Sequence, residues 1–552
     1  MKIDRRRALA LLGLGAAGPA AAQTPKPLEV TFQHGVASGD PTQTSVILWT
    51  RITPEGGGGQ IPYTWKLNPL DRRAGGAKSG SGVTGPDRDY TVKVDVGGLD
   101  PGRNYTFEFQ AKGVTSPTGR TRTLPDGPTK DVVLAVASCT LYPNGYFNAY
   151  GAIANLDRVD AVLHLGDYIY EYGGDGSYGM NSPVAQQRKH EPYHECVSLS
   201  DYRARHAQYK ADPQTQAAHA RAPWIVVWDD HETANDSYMG GAQNHSPETE
   251  GDWNARKAVA LKAYYEWMPI REPAAGVSLA EAGMRSFHFG DLASLIMVET
   301  RLTARDKQLV LKRDLPGADG KPDVAAFKAK LNDPARRMMS PKQEAWIGAE
   351  AARSVKAGHA WQVLGNQVVM ARVLPFSPKK ELTAEQYAAV PEASRKRLLE
   401  QEDNAALGLP TTLDMWEGYP VDRERLYTVL RDAGARPIVV SGDSHSFWAN
   451  ELHDQAGRLV ACEFGTTGVT SPGAGEVSPG VNMGSVIAKA NKEVVFNDQV
   501  SKGFVLLTLT REEARGDMVA VSTIVAKDFK TSVVKSFVTR PDGAGLSSFK
   551  EV

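Results

Sequence analysis

Five short apolar runs end abruptly in residues that bind metal or phosphate, and this repetition constrains the fold more than any other feature of the 552-residue chain. Residues 132–137 run into Cys139, 161–165 into Gly166-Asp-Tyr-Ile-Tyr-Glu171, and 224–228 into Asp229-Asp-His-Glu232. Residues 361–364 run into Gly365-Asn-Gln367, and 438–440 into Ser441-Gly-Asp-Ser-His445. Each run is brief and often β-branched, which reads as a short strand. Longer stretches with helical character, 144–156, 255–268 and 341–357, lie between or beside them. Strand alternating with helix is the signature of an α/β layer fold, in which ligands sit in the crevice outside the carboxyl ends of the strands. Residues remote in sequence would then meet in one place.

The chain before this region has a different texture. Residues 28–125 hold short alternating runs such as Ser45-Val-Ile-Leu-Trp-Thr-Arg51 and Asn104-Tyr-Thr-Phe-Glu-Phe-Gln110, separated by Gly, Pro and Asp. This pattern predicts a small all-β sandwich resembling a fibronectin type III domain. A Pro/Gly/Asp-rich linker over 125–130 separates it from a catalytic domain expected over 131–540. Residues 1–22 read as an export signal: a basic start with Arg5-Arg6-Arg7, a small and apolar stretch over 8–22, and Ala20-Ala21-Ala22 as a cleavage site. That stretch falls short of the ~20 apolar residues that span a bilayer, so no transmembrane anchor is expected in the mature form. The paired arginines resemble a twin-arginine signal, which makes the twin-arginine export machinery a partner and the periplasm or the exterior the destination.

Charge narrows the function further. Sixty-three basic residues nearly cancel sixty-four acidic ones, which leaves no general field to hold nucleic acid stably or to draw the chain onto a membrane. There is no GxxxxGK[ST] loop for nucleotide-driven chemistry. The three cysteines, Cys139, Cys196 and Cys462, are too few for a disulfide framework. Asp167 and Tyr170 stand three apart after a strand, and Asp443 and His445 are separated by one residue, which in an extended segment puts both on one side. Cys139, Asp167, Tyr170, Asp230, Asp443 and His445 are therefore the candidate metal ligands. Thiolate, phenolate, carboxylate and imidazole together suit ferric iron or another transition metal, and an adjoining all-oxygen site would suit Ca2+, Mn2+ or Mg2+. His231, next to Asp230, is the candidate for holding phosphate or protonating a leaving group. Asn366, Asn235 and Arg203 are candidate substrate contacts. His164, within an apolar run, is expected to be a core histidine, while His190, His194, His206, His219, His245 and His288 are expected at the surface or behind the site.

In combination, Ser138-Cys139, Gly166-Asp-Tyr-Ile-Tyr-Glu171, Trp228-Asp-Asp-His-Glu232 and Gly442-Asp-Ser-His445 resemble the PhoD-type alkaline phosphatases, part of the metallophosphoesterase group that includes purple acid phosphatases. The resemblance implies a four-layer β-sandwich flanked by helices, with Fe3+ and Ca2+ as cofactors. It assigns Cys139, Asp167, Tyr170 and His445 to the iron side, and Asp167, Asp230 and Asp443 to the calcium side. The expected activity is hydrolysis of phosphate esters by metal-activated water. Two alternatives are a phosphodiesterase acting on phospholipid, teichoic-acid or nucleic-acid fragments and a secreted, non-catalytic β-rich binding protein.

Overall fold

Along the strand Asp131–Ala137, Val132, Leu134 and Val136 enter one apolar core while Ala135 and Ala137 enter another. This is the period of two that a strand covered on both faces imposes. The same division recurs at Ala293–Met297, where Leu295 and Met297 share the first core and Ile296 faces a third. Two sheets thus meet over a common interior that includes Leu134, Val136 and Leu163 from one and Leu295, Val363 and Ile438 from the other. Fully burying each such side chain stabilises by about 1.5–3 kcal/mol, which makes this interface the main source of cohesion. The computed structural model describes residues 29–552 except 57, 72–74, 175–177, 411 and 478–480; the expected signal 1–22 lies outside the described residues.

The first sheet has ten strands, with Asp131–Ala137, Ala161–His164 and Trp224–Val226 adjacent and parallel at its centre. The second has seven, with Ala293–Met297, Trp361–Gly365, Pro437–Ser441 and Leu459–Gly465 parallel at its centre. Helices Leu199–Lys210 and Trp253–Trp267 cover the outer face of the first sheet, and Pro341–Lys356 and Pro420–Asp432 that of the second. The expected layers, helix, sheet, sheet, helix, are therefore present. Helix starts follow local chemistry: Asp252 accepts from the Ala255 amide, and Ser340 from the Gln343 amide with Pro341 in the first turn.

The amino-terminal region is all β. Ile61–Pro69, Lys78–Thr84, Asn104–Ala111, Val114–Thr115 and Gly119–Arg122 form a sheet of their own, while Val36–Gly39, Ser45–Arg51 and Thr91–Gly97 extend the ten-stranded sheet. The seam is the pairing of Gly39 with Trp224. Gly39 allows it because a Cβ there would come within 2.1 Å of the Pro269 carbonyl oxygen. Among the described residues no helix is long and apolar enough to cross a membrane.

His164 lies in the core as expected, its ring stacked on Trp224 and its Nε2 2.8 Å from the Tyr150 hydroxyl. His206 and His219, expected nearer the surface or behind the site, are also buried in this aromatic layer, His219 stacked on Trp224 at 3.8 Å. Burial, then Lys210, pushes His164 down to about 3. The unfolded chain therefore binds a proton that the native chain refuses between that value and the ordinary 6.5. Stability from neutral His164 is complete above about pH 6.5 and is lost as pH falls below it, by about 2 kcal/mol at pH 5. The urea midpoint is expected to drop between pH 7 and pH 5, and to drop less in His164→Phe; an equal drop would refute this.

Candidate metal centre

The parallel strands of both sheets deliver their carboxyl ends to one edge. The two edges are joined there: Ser138 bridges to Gly468, and the Thr466 hydroxyl donates to the Val136 carbonyl at 2.9 Å. Glu232 splints two strand ends within the first sheet. Its carboxylate accepts from the amides of Asp167 at 3.0 Å, Tyr168 at 2.5 Å and Asp229 at 2.8 Å. Gly166, with φ 109°, permits this closeness, since a Cβ there would lie 2.4 Å from the Asp229 amide nitrogen.

Cys139, Asp167, Asp443 and His445 all have positive φ, from 54° to 61°. Left-handed backbone at non-glycine residues is costly and collects where a side chain must be aimed. The result is three overlapping groups whose candidate ligand atoms lie within 4.8 Å of one another: Cys139 with Asp167 and His445; Asp167 with Asp230 and His231; and Asp167 with Asp229, Asp230 and Asp443. Asp167 belongs to all three. Tyr170 joins the first, its hydroxyl donating to Asp167 Oδ2 at 3.0 Å and lying 3.1 Å from His445 Nε2. Ser471 fixes that phenol from behind at 2.7 Å, and the Pro472 carbonyl holds His445 Nδ1 at 2.9 Å, which orients Nε2 inward. His231 is held by Glu171 Oε2 at 2.7 Å from its Nδ1, with its ring against Tyr170 and Tyr172.

Electrostatics show what the cluster lacks. Burial, His231 opposing and Asp230 and Asp229 reinforcing, pushes the Asp167 carboxyl far up; burial and Asp229 do the same to Asp443; and burial drives Asp229 to about 6 against Arg301. Burial and the Asp167 charge likewise raise the Cys139 thiol and the Tyr170 phenol. Burial also opposes charge on Asp230, but Arg301 and His231 outweigh it and keep this carboxyl below the usual range. His231 is raised despite its burial by Asp230, Glu171 and Asp167. Asp229 Oδ2 is buried with no hydrogen-bond partner. Four neighbouring carboxyls, a thiol and a phenol that cannot all ionise by themselves, and an orphaned carboxylate oxygen, are what a site for multivalent cations requires. His445, lowered to about 3 chiefly by burial, is neutral and fit to ligate. The residues present thus fit bound cations.

All six candidate ligands and His231 therefore come together. Asn235 sits beside them, its amide donating to Glu171 at 2.7 Å and its side chain paired with Gln243. Two expected substrate contacts have their side chains engaged elsewhere. Asn366 is wholly buried; its Nδ2 donates to the Val368 carbonyl and its Oδ1 accepts from Trp416 Nε1 at 3.1 Å, so the side chain closes the turn after its strand. Arg203 is paired with Glu266 at 2.7 Å and bonds the Asp87 carbonyl. Helix periodicity explains it: Arg205, two residues on and on the opposite face, turns inward to hold the carbonyls of Tyr170 and Pro192.

Sequence reasoning missed Arg301 and Asp414. The Arg301 guanidinium, fully buried, bonds Asp229, reaches Asp414 at 2.7 Å and Asp443 at 3.4 Å, and lies 3.8 Å from Asp230. A signal for it existed, since residues 293–298 form a sixth apolar run ending in Glu299-Thr-Arg301. Asp414 lies in a loop with no periodicity to mark it.

Comparison with known proteins agrees with this architecture. Residues 134–518 match the model of the PhoD-like phosphatase family and 18–125 that of the PhoD-like phosphatase N-terminal domain. Alkaline phosphatase D of Bacillus subtilis (strain 168) is 32% identical over 529 residues, covering 93% of this chain and 82% of that protein. A solved structure described as the structure of PhoD superposes with a TM-score of 0.75 at 30% identity, covering 94% of this chain and 92% of its own. With the family's catalytic model spanning most of its length and its strand-end ligand cluster assembled, the chain belongs to the PhoD-like phosphatases and is a phosphoric ester hydrolase.

Proposed function

We propose that the chain is an exported alkaline phosphatase of the periplasm or exterior, carried by the twin-arginine machinery, that hydrolyses phosphate esters at a centre of ferric iron and calcium. Cys139, Asp167, Tyr170 and His445 would hold the iron, and Asp167, Asp230 and Asp443 the calcium. The observation that carries this is the membership of Asp167 in every ligand group, because a carboxylate shared between a thiol-imidazole-phenol set and an all-carboxylate set is the arrangement that bridges unlike cations. When bound, such cations supply positive charge for the phosphoryl oxygens and an acidified water.

The chain's own residues supply orientation and proton control. Glu171 holds His231 Nδ1, and the ring stands in one group with Asp167 and Asp230. The Glu171 carboxylate at Nδ1 favours a protonated ring, which can hold a phosphoryl oxygen or hand a proton to the departing alcohol. Tyr170 and Tyr172 pack on that ring and exclude water from it. Protein exported from its native host is expected to contain both iron and calcium by elemental analysis and to hydrolyse p-nitrophenyl phosphate faster than its bis ester. Iron-free, calcium-free protein that is fully active would refute the metal assignment, and a preference for the bis ester would favour the phosphodiesterase reading.

A further inference from the structure

A cleft of about 470 Å³ with one apolar wall, facing polar residues such as Gln401 and Asn404, adjoins the cation cluster. One end is Ser444, the residue between Asp443 and His445, and its walls include Trp448, Met415, Phe376, Leu398 and Met483. Trp448 is fixed to the ligand loop itself, its Nε1 donating to Ser444 Oγ at 2.7 Å. A second cleft shares Glu400, Asn404 and Thr412 with the first and reaches Asp414 and Asp236. The two thus meet along helix Glu392–Leu407; the second borders Asp414 and the first borders Ser444 beside Asp443, and the side chains of Asp414 and Asp443 are each 19% exposed while Asp229 and Asp230 are sealed. Among the acids of the cluster these two are open to solvent, so a phosphoryl group held there carries its ester group toward the cleft. Whatever is esterified to it then lies against Trp448 and the apolar wall.

Resting on the hydrolase reading above, we propose that this cleft is the leaving-group subsite and that it selects phosphate esters of apolar alcohols, alkyl or aryl. Hydrolysis joins a water oxygen to phosphorus and breaks the bond from phosphorus to the ester oxygen. The alcohol takes up a proton and departs through the cleft. Its occupant is set by covalent continuity: the group in the cleft is tied to the phosphate at the cluster. Apolar contact along a chain several carbons long strengthens binding of the ester and its transition state.

The test compares ethyl phosphate with hexyl phosphate, whose leaving groups have closely similar basicity, on the full metal-loaded chain. Hexyl phosphate is expected to have a kcat/KM about tenfold higher or more. Leu374→Glu places a charge on the cleft lining and Ala474→Trp fills it; both residues are exposed and line the cleft, so neither substitution threatens the core. Each is expected to bring the hexyl-to-ethyl ratio to within about twofold of one. Equal kcat/KM for the two esters in the parent chain, or a preference that survives both substitutions, overturns the subsite while turnover of ethyl phosphate leaves the hydrolase reading standing. No turnover of either ester overturns the subsite, and no turnover of p-nitrophenyl phosphate in addition overturns the monoesterase reading.

Discussion

Asp167→Asn is expected to lower kcat toward phenyl phosphate by about a thousandfold or more, with the fold intact by circular dichroism. The substitution keeps the shape of the side chain but only one of its two acceptor oxygens, so it can still accept from Tyr170 or from the His231 amide, which now bond different oxygens at 3.0 and 3.4 Å, and not from both. It removes the one negative charge that touches every ligand group. The loss is therefore electrostatic rather than a packing fault. Iron and calcium content should fall together, whereas Asp443→Asn should reduce calcium more than iron because Asp443 groups only with carboxylates. A variant that retains most of its activity and both metals would remove Asp167 from the centre.

Much of this centre was legible because its residues obey a rule of position. Cys139, Asp167, Asp230 and Asp443 each follow an apolar run, and in parallel sheets the ends of such runs share an edge. The layers were legible for the same reason, since double-sided burial writes itself into short continuous apolar strands. What escaped depends on side-chain direction or on loops. Arg203 and Arg205 differ in sequence only by position, and which one faces Tyr170 is set by the packing of helix Leu199–Lys210. Asn366 stands at the end of a qualifying strand, yet Trp416 and the Val368 carbonyl claim its amide. No strand-end rule could reveal Asp414, because its place is fixed by Arg301 from another part of the chain.

That arginine leads to the second large effect. Arg301 stays charged in spite of complete burial because Asp229, Asp414 and Asp230 surround it. With cations stripped away, its guanidinium is the fixed countercharge for these acids. Replacing it with methionine keeps much of the volume and leaves Asp229 and Asp230 buried without compensation, a change that costs about 3–5 kcal/mol when one partner of a buried network is removed. In chelator, the unfolding midpoint of Arg301→Met in urea is therefore expected to fall well below that of the parent. Added calcium supplies countercharge at the same acids and binds only the folded chain; at a concentration a hundredfold above Kd it restores about 2.7 kcal/mol. The parent gains from calcium by the same rule, so the gap narrows only by the difference in affinity; the variant is expected to bind calcium more tightly than the parent, because the competing cation has gone, and the gap to shrink accordingly as calcium rises. A gap that is unchanged by calcium would mean that Arg301 serves the packing of the loops and not the charge of the centre.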